Sequence, residues 1–132
     1  MEHHKFSRNS KSKLATCHPD LVRVATLALK YSPYDFGVTE GVRTEEKQKK
    51  MVAQGVSQTM HSRHLANENG LSEALDIAVY PNGKLSWDIK YYRKVAQAFF
   101  RAAIELKVQI EWGGLWQSFI DGPHFQLAKD EG

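Results

Sequence analysis

The sequence predicts a small single α+β domain, a mostly antiparallel sheet with helices packed on it. Three observations predict it. The chain of 132 residues has room for one compact domain and little else. Stretches with apolar residues three and four apart are interspersed with shorter stretches of residue-by-residue alternation. No linker, internal repeat or low-complexity tract divides the chain, so residues 1–132 are read as one domain, with polar, basic residues 1–12 as a flexible arm.

The elements follow in order. Leu21, Val24, Ala25, Ala28 and Leu29 give one apolar helical face, with Asp20 as its N-cap and Ser32-Pro33 as its stop. Phe36 to Val42 is short, partly alternating and bounded by turn residues, and reads as a strand. Thr44 caps a second helix running to about Gln54, with Glu45 and Glu46 in the first turn where the helix dipole favours anions. Residues 55–73 are polar and irregular, with a turn at Asn67-Glu68-Asn69-Gly70; a loop this long in a small domain usually has a job. Ala74 to Tyr80 is the clearest strand and ends at Pro81-Asn82-Gly83. The longest helix starts at Trp87 or Asp88, ends near Lys107, and turns Val95, Ala98, Phe99, Ala102 and Leu106 to the core. Val108–Trp112 and Pro123–Leu127 are the last strands, separated by Gly113-Gly114 and a short loop.

Composition excludes several classes. Hydrophobic residues at 42% are too many for a disordered chain. No apolar run approaches the ~18–20 residues that span a bilayer, and the N-terminus lacks the apolar core of a secretory signal. The lone Cys17 rules out an intramolecular disulfide and any zinc site built on paired cysteines, which leaves histidines and carboxylates as metal ligands. A net charge of +3 and a pI near 9.0 suit a polyanionic partner without choosing one. The basic clusters Lys11–Lys13 and Lys47–Lys50 are spread over an arm and a helix face, so solvated surfaces are favoured over nucleic-acid binding.

Three positions carry candidate chemistry. His64 lies in Ser62-Arg63-His64, in the long polar loop. Asp76 alternates onto the strand face opposite Leu75, Ile77 and Val79, between two small residues, Ala74 and Ala78, that leave space for something bulky. The plainer reading is an exposed strand aspartate. His124 follows the bend at Gly122-Pro123, which lets Asp121 and His124 converge where a straight strand would point them apart. The plainer reading there is a turn followed by a satisfied histidine. Two neutral histidines and one carboxylate would give a Zn²⁺ site a net charge of +1 and a fourth position for water. The spacing alone is not a local metal signature.

Ser62-x-His64, Ala74-Leu75-Asp76, Trp112-Gly113-Gly114 and Asp121-Gly122-Pro123-His124-Phe125 together resemble the D-Ala-D-Ala carboxypeptidase-like (VanY-type) LAS zinc peptidases. The N-terminal half, with Leu14, the helix after Asp20, Ser32-Pro33-Tyr34-Asp35-Phe36 and Gly41-Val42-Arg43-Thr44, is most similar to phage L-alanyl-D-glutamate endopeptidases. The resemblance implies one zinc ion held by His64, Asp76 and His124, with Asp121 as the catalytic carboxylate. It also implies that Arg43 binds the scissile carbonyl oxygen or a substrate carboxylate, with Ser62 and Trp112 toward the substrate. Trp112 and Trp116 are candidates to floor a cleft, with core packing as the alternative. The family pattern S-x-H-x-x-G-x-A-x-D places histidine and aspartate closer together than here, where twelve positions separate His64 from Asp76. The extra polar residues around Asn67–Leu71 can bulge outward without moving either ligand, and they leave His61 as a rival to His64.

The function so implied is a zinc-dependent endolysin that hydrolyses the L-Ala–D-Glu bond of the peptidoglycan stem peptide and lyses the host. Such an enzyme accumulates in the host cytoplasm, reaches the periplasmic wall with the help of a holin-type permeabiliser, and works as a monomer without membrane insertion or nucleic acid. The alternatives are a D-Ala-D-Ala carboxypeptidase or dipeptidase of the same fold, and a non-catalytic zinc-containing wall-binding module.

Overall fold

The computed structural model describes residues 4–55, 62–117 and 120–128. Its elements are α1 (Arg8–Leu14), α2 (Pro19–Tyr31), β1 (Asp35–Glu40), α3 (Glu45–Ala53), β2 (Ala74–Tyr80), α4 (Ile89–Leu106), β3 (Ile110–Trp112) and β4 (His124–Leu127). Short 3-10 turns at Pro81–Gly83 and Gly113–Leu115 follow β2 and β3. The strands form one sheet in the order β1-β2-β4-β3 with every neighbouring pair antiparallel, so the predicted α+β class holds.

One face of the sheet carries the core. Phe36 and Val38 of β1, Leu75, Ile77 and Val79 of β2, Trp112 and Phe125 meet Leu21, Val24, Ala25, Ala28 and Leu29 of α2, and Val95, Phe99 and Ala102 of α4. Phe99 stacks on Phe125 with ring centroids 3.9 Å apart. The two helices pack on the apolar face because their own apolar stripes have nowhere else to go. Asp88 caps α4 by accepting from Lys90 N, and Lys107 closes it in the left-handed conformation.

Three expectations need correction. Residues 8–12 are not an arm but most of α1, which Ser7 caps by accepting from Ser10 N. The helix seals the outer edge of β1: Ser10 is buried and its Oγ accepts from Val38 N at 3.0 Å. The N-cap of α2 is His18 rather than Asp20. Its Nδ1 accepts from Asp20 N, Pro19 takes the first helical position, and Asp20 pairs with Arg23. The strands β1, β3 and β4 are each shorter than predicted, because the sheet pairing stops where the chain turns into loops. Among the described residues, no helix is long and apolar enough to cross a membrane.

Candidate metal centre

The face of the sheet opposite the core is where the predicted site residues meet. Because side chains alternate, Asp76 points away from Leu75 and Ile77, and His124 away from Phe125. The pairing of β2 with β4 sets Asp76 directly across from His124. His64 arrives from the long loop, which is fastened at both ends: Arg43 N donates to His64 O at 2.7 Å and Ser72 N to Thr16 O at 2.8 Å. Between these ends, Asn67 closes a turn by accepting from Asn69 N and Leu71 N, so the extra residues bulge outward as expected.

His64 Nε2 lies 3.2 Å from Asp76 Oδ1 and 3.2 Å from His124 Nδ1, and His124 Nδ1 lies 3.3 Å from Asp76 Oδ1. Both imidazoles are buried, and the three ligand atoms lie within 4.8 Å of one another. The far nitrogens test whether this set suits a metal. His64 Nδ1 is 2.9 Å from Gly41 O, and His124 Nε2 is 2.8 Å from Gln126 Oε1. Both neighbours are acceptors, which places the protons on the far nitrogens and leaves a lone pair on each near one. Two lone pairs and a carboxylate oxygen converging on one point repel each other unless protons or a metal cation sit among them. The donor set therefore fits a divalent ion, and zinc accepts such nitrogen and oxygen ligands.

Charge follows from the same geometry. With no ion bound, burial pushes the Asp76 carboxyl upward, but hydrogen bonds donated by His124 and His64 in their protonated form outweigh it and hold the group well below the usual carboxylate range. Burial pulls His124 downward, yet its hydrogen bond to Asp76 prevails and the net shift is upward. Asp121 is raised above its ordinary value, first by burial and then by the negative charge of Asp76, against the opposing pull of His124, His64 and Arg43. These couplings set its carboxylate in the field of the cluster. A carboxylate with raised proton affinity beside a metal-ligand set is equipped to take up and release a proton.

Two glycines make close approaches that position these groups. A Cβ on Gly113 would lie 2.2 Å from Asp121 O, and Asp121 N donates to Gly113 O at 3.0 Å, so the Trp-Gly-Gly turn holds the Asp121 backbone in place. A Cβ on Gly41 would lie 2.2 Å from Thr16 Oγ1 and 2.5 Å from Lys13 O. The end of α1 thus presses on the residue whose carbonyl orients His64.

The remaining predicted residues sort differently. Ser62 caps the approach to His64 by accepting from His64 N, and it lines a cleft of about 500 Å³ with Glu45, Arg63, Asn67 and Glu73. Arg43 is buried: it grips Glu40 in two hydrogen bonds of 2.8 and 2.9 Å and donates to Gln48 Oε1 at 2.6 Å. Only its Nη2 edge, 3.7 Å from Asp76 Oδ2, reaches the centre. Trp112 does not floor a cleft. It is 5% exposed, stacked on Phe125, and its indole N–H donates to Gly122 O at 2.7 Å. Trp116 is the aromatic residue beside the site, its ring 5.0 Å from that of His124. His61 lies outside the described residues. Gly41 stands behind His64, and Gln126 with Glu111 behind His124; the sequence signal for the last two is their polar alternation with Trp112 and Phe125.

The sequence profile of phage L-alanyl-D-glutamate peptidases matches residues 2–128. The chain belongs to the phage L-alanyl-D-glutamate peptidase family. It is 36% identical over 121 residues to the L-alanyl-D-glutamate peptidase of Escherichia phage T5, covering 89% of this chain and 85% of that one. It is also 36% identical over 90 residues to the L-alanyl-D-glutamate peptidase of Listeria phage A118, a longer protein of which the match covers 29% and which it meets over 68% of this chain. Among solved structures, the L-Ala D-Glu endopeptidase ChiX of Serratia marcescens superposes with a TM-score of 0.86 at 46% identity, covering 96% of this chain and 92% of that one. As a member of this peptidase family, the chain carries its His64–Asp76–His124 group on a shared fold.

Proposed function

We propose that this protein is a zinc-dependent endopeptidase that hydrolyses the L-Ala–D-Glu bond of the peptidoglycan stem peptide. The observation that carries the reading is the convergence of His64, Asp76 and His124, with Asp121 in their field, in a chain of this family. His64 Nε2, His124 Nδ1 and an Asp76 oxygen would hold the ion. When bound, zinc supplies Lewis acidity, polarising a carbonyl and lowering the pKa of water to ~7.

The chain's own residues do the rest. Asp121 takes the proton from the attacking water and delivers it to the leaving amine, a task suited to a carboxyl with raised proton affinity. Arg43 acts mainly through Asp76, opposing its charge from 3.7 Å, and offers a substrate oxygen only its Nη2 edge. Ser62, which lines a cleft with Glu45, Arg63, Asn67 and Glu73, and Trp116, whose ring lies 5.0 Å from that of His124, are the side chains offered to a bound peptide. In a host cell the enzyme acts as an endolysin monomer, made in the cytoplasm and passed to the periplasmic wall by a holin-type permeabiliser. The net charge of +3 favours contact with an anionic polymer.

Mass spectrometry of muropeptides digested by the zinc-loaded protein tests the proposal. Free stem peptides cut after L-Ala are expected, and a chelator should stop their release. Loss of terminal D-Ala or D-Ala-D-Ala alone would reassign the protein as a carboxypeptidase or dipeptidase. No cleavage with zinc verified in the protein would make it a wall-binding module.

A further inference from the structure

We propose that Glu111 and Gln126 are positioning residues for the metal centre: together they fix which nitrogen of His124 carries the proton, and so which one is free to hold the ion. The inference rests on His124 being a ligand, as argued above.

His124 must keep Nδ1 unprotonated, because Nδ1 is the atom that faces Asp76 and His64. A neutral imidazole carries one proton, so Nδ1 is free only if Nε2–H is the donor. Nε2 lies 2.8 Å from Gln126 Oε1. An amide alone does not settle the matter. Rotated by half a turn, Gln126 would present its NH₂ to Nε2, draw the proton onto Nδ1 and block ligation.

Glu111 removes that freedom. Its Oε2 lies 2.6 Å from Gln126 Nε2. A carboxylate can only accept, so the NH₂ of Gln126 must face it and the amide oxygen must face His124. The sheet builds this chain without any loop. Glu111 is the cross-strand partner of Gln126, and Gln126 stands two residues after His124 on the same face of β4. The polarity runs one way, from the Glu111 carboxylate through the Gln126 amide to the His124 imidazole and its open Nδ1. Glu111 is exposed and outside the apolar core, so its replacement leaves the fold intact.

Three variants read the direction of this chain, with zinc affinity measured by competition against a chromophoric chelator. The Nε2–H proton of His124 is followed in parallel by NMR of the zinc-loaded protein. Glu111→Ala frees the amide to rotate and should weaken zinc binding about tenfold, the lower end of the range for such supporting contacts. Glu111→Lys replaces an acceptor by a donor, pulls Gln126 Oε1 away, and should weaken binding about 100-fold with loss of the Nε2–H signal. Adding Gln126→Glu to Glu111→Lys restores an acceptor for Nε2–H and should return both the signal and the affinity to within about threefold of the unaltered chain. A Glu111→Lys protein that binds zinc as tightly as the unaltered chain overturns the inference. So does a double variant as weak as Glu111→Lys alone, which would show that an acceptor for Nε2–H is not what the lysine removes. If the unaltered chain takes up no zinc, the metal reading itself fails and this inference with it.

Discussion

The two faces of the central strands do different work with adjacent residues. On one face Leu75, Trp112 and Phe125 join the apolar core; on the other Asp76, Glu111, His124 and Gln126 form a polar row. The core face tolerates no polar group without a partner, and Trp112 meets that rule by donating to Gly122 O. The polar face does the reverse, drawing ligand atoms together in a way that only protons or a metal cation relieve. Stability and chemistry are thus written on alternate residues, and a change on one face should leave the other readable.

His124→Ala is expected to have the largest effect: no zinc in metal analysis of the purified protein and no measurable hydrolysis, with the apolar core still folded. Asp121→Ala comes next, lowering muropeptide turnover by about 10²–10⁴-fold while zinc content stays at the level of the unaltered chain. On the opposite face, Phe99→Ala removes the ring stacked 3.9 Å from Phe125 and should cost about 3–5 kcal/mol in denaturant unfolding, with zinc still bound below the transition. Loss of zinc from the native Phe99→Ala protein would show that the two faces are not separable.

Acidity gives the mildest perturbation. His124 holds its proton more firmly than an ordinary histidine, and zinc can bind only after that proton leaves. Zinc affinity should therefore rise with pH through the raised value, above 6.5, and then level off. On the acid side it should fall by about tenfold per pH unit for this one proton, as chelator competition across that range would report. A flat profile would detach His124 from the ion.

Much of this arrangement is legible in the sequence, for identifiable reasons. Alternation separates Asp76 from Leu75 and Ile77, and the Gly122-Pro123 bend announces itself, so β2, the turn before β4 and the long helix α4 are read correctly. Helix α1 is hidden because Arg-Asn-Ser-Lys-Ser-Lys-Leu has a single apolar residue. What holds it is tertiary, the Ser10 hydroxyl on the edge of β1. Trp112 is ambiguous because an indole suits a cleft and a core equally well, and only the position of Gly122 O decides between them. Arg43 is found but its neighbours are not, since nothing in Gly-Val-Arg-Thr reveals that Glu40 and Gln48 already occupy its guanidinium. Glu111 is invisible for a related reason. Its partnership with Gln126 exists only once β3 pairs with β4.

The cross-strand pairing of Asp76 with His124 ties assembly of the candidate metal centre to alignment. Were β4 to slide by a single position against β2, every side chain on it would change sides. An imidazole would be driven into hydrocarbon and Phe125 would surface among the ligands. Correct assembly of the sheet and creation of a working centre are therefore the same event, and a misaligned molecule would be inactive as well as unstable.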